Sequence, residues 1–100
     1  MIVRVFRARV RPGSAADFEV MLREQSIPLL KAADGLVSWW GGRPLGETGE
    51  FVVVTVWRDL ASLQEFAGPD WQREGVIPAD ELPLLEETVL HHYELFGSSS

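Results

Sequence analysis

Arg4 lies among Ile2, Phe6 and Ala8 on one alternating face of an apolar N-terminal segment, where an unpaired charge would be costly. It therefore needs a partner. A guanidinium fixed in a dry site would anchor a substrate carboxylate, phenolate or enolate, whereas a purely structural Arg4 would pair with Glu94 or another carboxylate on a neighbouring strand. The 2 histidines are His91 and His92. Imidazole titrates near neutrality, so each is a candidate to take a proton from a phenol or enol, and Arg4, His91 and His92 form the candidate catalytic set. Consecutive strand residues face opposite ways. The two rings therefore cannot readily chelate one metal, and without cysteine or an HxH or HxxxH spacing no metal site is expected.

Aromatic side chains supply the candidate walls of a small-molecule pocket: Phe6, Trp39, Trp57, Phe66 and Trp71, with Thr55 beside them. Each has a structural alternative. Trp57 closes either a pocket or the core; Trp71 is either a lid or packing for an irregular segment. Trp39 and Trp40 are adjacent, so only one of them can line the pocket while the other belongs to the opposite face. Tyr93 shares the face of His91, and Glu81, Glu86 and Glu87 read as a solvated acidic run. No nucleophile elbow, phosphate-binding loop or dinucleotide fingerprint is present; Gly41-Gly42 has no helix after it and is no phosphate cradle.

The elements that must position these residues follow from periodicity and breakers. Ile2 to Val10 reads as a strand with apolar residues on both faces, ended by Arg11-Pro12-Gly13. Ser14 and Asp17 mark the start of a helix at about Ala15. Phe18, Met21, Leu22, Leu29 and Leu30 form its buried stripe, Pro28 kinks it, and Gly35 ends it. Leu36 to Trp40 and Phe51 to Trp57 read as a hairpin with a glycine-rich loop. Asp59 caps a short helix over Leu60 to about Ala67, stopped by Gly68-Pro69. Asp70 to Glu87 reads as irregular with a helical turn or two, Thr88 to Phe96 as a fourth strand, and residues 97–100 as a disordered tail.

The order β-α-β-β-α-β predicts an α+β, ferredoxin-like domain over residues 1–96, a four-stranded antiparallel sheet with both helices on one face. The other face is left bare. Val3 and Val5 lie on it, so a second copy should cover it, sheet to sheet, as a homodimer. With 100 residues and 46% hydrophobic content, one domain with one core is expected. A formal charge of -6 argues against nucleic acid, and the apolar stretches are too short and too interrupted for a membrane span or secretory leader, so the cytoplasm is the expected location.

Three stretches carry a resemblance: Arg11-Pro12-Gly13-Ser14 before the first helix, Ala33-Asp34-Gly35-Leu36 after it, and Phe51 to Asp59 running into Leu63 and Phe66. Through them the chain resembles the antibiotic-biosynthesis monooxygenase family of dimeric α+β barrels, from Met1 to about Phe96. The resemblance implies a pocket between sheet and helices, and members that include cofactor-independent oxygenases of polyketide phenols, haem-degrading enzymes and proteins of no known activity. In the haem-degrading branch an Asn, a Trp and a His occupy places held here by Phe6, Phe66 and a residue near Gly75, so haem degradation is not expected. In the phenol-oxygenating branch the strand-ending Trp is matched by Trp57, while an Asn and a Tyr are replaced by Val53 and Leu63.

The resulting expectation is a cofactor-independent monooxygenase of a small aromatic or enolisable molecule, retaining no metal or organic cofactor. A base would ionise the substrate, and the anion would reduce oxygen directly. Two alternatives stand beside it: a non-catalytic small-ligand-binding or regulatory homodimer on the same scaffold, and an isomerase or decarboxylase of the same fold.

Overall fold

Alternating apolar residues at the N-terminus build strand β1 (Ile2–Val10), which takes the centre of the sheet in a computed structural model describing residues 1–99. Strands β2 (Leu36–Gly42), β3 (Glu50–Trp57) and β4 (Leu85–Glu94) complete it in the order β2-β3-β1-β4, antiparallel throughout. β1 runs against β3 from Ile2↔Trp57 to Arg9↔Glu50, and against β4 from Ile2↔Glu94 to Val10↔Leu85. Three strands differ from their expected bounds, β3 only by starting one residue earlier, at Glu50. β2 continues to Gly42, and β4 begins at Leu85, directly after a 3₁₀ turn at Leu82–Leu84, and stops before Phe96.

Three helices, α1 (Ala15–Met21), α2 (Ile27–Lys31) and α3 (Leu60–Ala67), cover one sheet face. Phe18, Leu22, Ile27, Leu30 and Leu63 pack there onto Ala8, Val10, Phe51, Val53 and Trp57. The expected helix start differs in detail: the Ser14 side chain makes no cap, and its backbone carbonyl accepts from the Phe18 N–H at 2.9 Å instead. Asp59 does cap α3, its Oδ1 accepting from the Ser62 N–H at 2.8 Å.

Pro28 shapes the first helical arm less by kinking than by widening it. Between α1 and α2, Leu22–Ser26 is π-helical, and the Ile27 N–H bonds to the Leu22 carbonyl five residues back. A proline at the next position has no N–H and its ring crowds the preceding turn, so a wider turn relieves both problems. The arm ends at Lys31 with Ala32 as its cap, not at Gly35 as expected. Gly35 lies three residues further on, at φ +87° in the turn to β2, where a Cβ would also overlap Ser62 near the start of α3. Glycine is required there on two counts.

The other sheet face carries Val3, Val5, Val52, Val54, Val56 and Val89, with Trp40 and Tyr93 more than half exposed. Ion pairs Arg7–Glu50 and Arg9–Glu87 edge it at one end. Between Leu36 and Ser38 the β2 register shifts, so Leu36 and Trp39 both reach the helical side while Trp40 stays on the bare one. Among the described residues no helix is long and apolar enough to cross a membrane.

Candidate functional site

β1 and β4 bring Arg4 opposite His92, whereas Glu94 stands opposite Ile2. Register thus decides the partner of the buried cation. Arg4, 5% exposed, donates from Nη1 to the Trp71 carbonyl at 2.6 Å and from Nη2 to the Glu74 carbonyl at 3.0 Å. Its Nη1 also stands 3.0 Å from His92 Nε2. No carboxylate pairs with it among the described residues, so the expected ion pair with Glu94 is replaced by two carbonyls and an imidazole. Burial lowers the Arg4 pKa to about 10, which still leaves the group charged at neutral pH.

Arg4 lines a partly open cavity of about 50 Å³ between the sheet and the helical arm. Phe6, Val53 and Thr55 supply its sheet wall, Leu22, Ser26 and Leu30 its helical wall, and Phe66 with Gly75 to Ile77 closes it. Gly75 lies so close to the aromatic ring that a Cβ there would stand 2.8 Å from Phe6 Cε2. Phe6, Phe66 and Gly75 all line this cavity.

A carboxyl group lies opposite this apolar lining. Glu81 is 2% exposed, lines the same cavity, and accepts a hydrogen bond from Ser26 Oγ at 2.8 Å. It is not part of a solvated run: Glu86 and Glu87 are exposed, whereas Glu81 turns inward. Loss of water raises its pKa above the ordinary carboxyl range; the Ser26 hydroxyl opposes the rise and the nearby Asp80 charge adds to it. Sequence reasoning missed both Glu81 and Ser26. The available signal was the apolar run Leu82-Pro83-Leu84-Leu85, which separates Glu81 from Glu86 and Glu87.

The remaining candidates sit elsewhere. Trp57 is fully buried, its indole N–H donating to Thr55 Oγ1 at 2.9 Å, and its ring meets Phe66 at 5.0 Å between centroids. Trp71 stands edge-on to His92, centroids 4.8 Å apart, and reaches the cavity only through its carbonyl on Arg4. His92 supports Arg4 from the β4 side. His91 is exposed on the bare face opposite Val5, and Trp39 lines a second cavity. Among the described residues no group of three or more His, Cys, Asp or Glu side chains is placed to hold a metal ion.

A four-stranded antiparallel sheet with helices on one face and a cavity between the layers defines a ferredoxin-like α+β protein. The antibiotic biosynthesis monooxygenase family matches residues 1–74, and the chain belongs to it. Comparison with curated proteins yields no significant match. Among solved structures, the chain is similar to SnoaB, a cofactor-independent oxygenase from Streptomyces nogalater, with 17% identity, TM-score 0.76, and 97% of this chain and 94% of that one covered. It is similar also to the heme-degrader MhuD from Mycobacterium tuberculosis, whose structure holds two hemes in its active site, with 19% identity, TM-score 0.74 and 100% of both chains covered. A protein of unknown function from Nitrosomonas europaea matches at 21% identity and TM-score 0.76, over 99% of this chain and 92% of that one. Identities this low establish the shared fold.

Proposed function

We propose that this chain is a cofactor-independent monooxygenase acting on a small aromatic or enolisable molecule in the cavity lined by Arg4 and Glu81. One observation carries the reading: a single apolar cavity holds a buried guanidinium with no carboxylate partner and a buried carboxyl of raised pKa. Ionised Glu81 is the base that takes a proton from an activated CH₂ group, and Arg4 stabilises the enolate or phenolate oxygen that results. The carbanionic carbon reduces oxygen to a bound hydroperoxide, which loses water to leave a ketone. The net change is CH₂ plus O₂ to C=O plus water.

Phe6, Phe66 and Thr55 form the wall against which the substrate ring lies, His92 positions Arg4, and Trp57 and Trp71 support the wall from behind. No histidine lines the cavity, so it offers haem no axial nitrogen. An apolar cavity of ~150 Å³ is known to accept benzene. A substrate ring must therefore displace part of the irregular segment around Gly75 to Ile77. The partly exposed valines of the other sheet face, with the exposed Trp40 and Tyr93, support assembly as a homodimer, with His91 in the interface.

Oxygen uptake with an anthrone, an enolisable tricyclic ketone, tests the chemistry. The protein should consume one O₂ per ketone formed, and Glu81→Gln should slow it by about 10²-fold or more, the usual contribution of a positioned base. Unchanged uptake in Glu81→Gln, or none above the uncatalysed rate in the parent, rejects the oxygenase reading. The narrowness of the cavity favours a second reading, a non-catalytic ligand-binding homodimer, which would bind the anthrone without consuming oxygen.

A further inference from the structure

A second cavity, of about 420 Å³, opens between α1 and β2 on the far side of Leu22 and Val53. Its volume falls within the range of ~300–1,000 Å³ usual for small-molecule sites. Two aromatic side chains line it, Trp39 from β2 and the buried Phe51 from β3. Gly41 and Gly42 contribute no side chain to fill the space. Its walls suit a flat ring.

The rim is electropositive, although the chain as a whole carries a formal charge of -6. Arg43 grips Glu19 through Nε and Nη2, both at 2.8 Å, and Arg23 reaches the same carboxylate at 3.2 Å. Lys31 Nζ lies 5.9 Å from the centre of the Trp39 ring. Two cations thus share one carboxylate, and a third stands by the aromatic wall. Arg23 and Arg43 are largely exposed, so their hold on Glu19 is of the weak, screened kind. Arg43 also begins the glycine-rich β2–β3 loop, and its bond to Glu19 ties the start of this loop to α1.

We propose that this second cavity binds a planar aromatic carboxylate, whose ring lies between Trp39 and Phe51 and whose carboxylate takes the place of Glu19 on Arg43 and Arg23. A planar guanidinium pairs bidentately with a carboxylate, and a neutral ring alone would leave the three rim cations unused. The site is separate from the Arg4 cavity and does not depend on the oxygenase reading.

The test is an NMR titration of the ¹⁵N-labelled protein with 2-naphthoate, followed at the Gly41 and Gly42 amides and the Trp39 indole N–H. All three signals should move, and the neutral 2-naphthylmethanol should bind about tenfold or more weakly, the difference of a charge-assisted pair. Arg43→Gln should weaken 2-naphthoate by a similar factor. Glu19→Gln, which removes the competing carboxylate, should instead tighten it severalfold. A merely structural Glu19 would give the opposite sign. Arg4→Met should leave this affinity unchanged, which separates it from binding in the first cavity. Equal affinity for acid and alcohol, weakening by Glu19→Gln, or shifts confined to Phe6 and Phe66 would each overturn the proposal, as would no binding at millimolar naphthoate.

Discussion

Nη1 of Arg4 stands 3.0 Å from Nε2 of His92, and because a guanidinium only donates, the imidazole must accept. His92 is therefore neutral when paired, with its proton on Nδ1. Burial, then the charge of Arg4, then that of His91, lower the His92 pKa below its ordinary value. An NMR titration should accordingly find a His92 midpoint below 6.5, the value of an unperturbed histidine. Arg4→Met should move it upward. No movement would mean that the two groups are not coupled. The stability that this histidine contributes is present above the ordinary value and lost as pH falls through the folded one, so Arg4→Met should also reduce that acid loss.

Glu81 has the opposite dependence. Its folded pKa is raised, so its contribution to stability is full below the ordinary carboxyl range and is lost as pH rises through the folded value. Thermal melts should show the parent losing stability relative to Glu81→Gln across that window. Oxygen uptake should rise over the same window, because the base must be ionised to act. Parallel melting profiles for the two proteins would place Glu81 in solvent.

Gly35→Ala should cost about 2–4 kcal/mol, combining a left-handed conformation with a collision at Ser62. Urea unfolding measures it. Adding Ser62→Gly should recover part of the loss by relieving the collision while leaving the backbone term. A loss below about 0.5 kcal/mol, the level of an ordinary surface change, would contradict the described approach of the arm to α3.

Val5→Asp tests the bare sheet face. Light scattering should give a dimer for the parent and a monomer or aggregate for the variant, because the new carboxylate would be buried without a partner. A monomeric parent at micromolar concentration would remove the homodimer from the proposal.

Arg4→Met is also expected to weaken a phenolate in the first cavity by about 1.5–3 kcal/mol, the range for a hydrogen bond to a charged group. A neutral isostere should bind nearly as before. Equal weakening of both, measured by calorimetry, would mean that Arg4 serves the fold alone.

The alternation around Arg4 was legible because β1 has a neighbour on each side from Ile2 to Arg9, the register against β4 shifting only between Arg9 and Val10. The same was true of the Asp59 cap, a local event, whereas the helical arm stops at Lys31, before the glycine expected to end it, because Gly35 serves the turn into β2. Three features were not legible. The π-helical turn answers a proline that follows it, the register shift at Val37 carries Trp39 across the strand, and Glu81 is buried by a segment without regular structure. The first is a local response that the residue types do not announce; the other two depend on distant surfaces against which the chain settles. Arg4 illustrates the limit most clearly: its need of a partner is local, whereas the choice of two carbonyls and His92 depends on where β4 and residues 71–74 come to rest.

Leu22 from the helical arm and Val53 from the sheet line both cavities. They act as a party wall. A ligand that shifts either side chain alters the room available to its neighbour next door, in an interior packed too tightly to absorb the change elsewhere. Reciprocity then binds the two occupants: whatever factor the naphthoate imposes on anthrone affinity, the anthrone must impose on naphthoate. The wall sits at Leu22, the first residue of the π-helical stretch, where the helix has already departed from its ordinary winding.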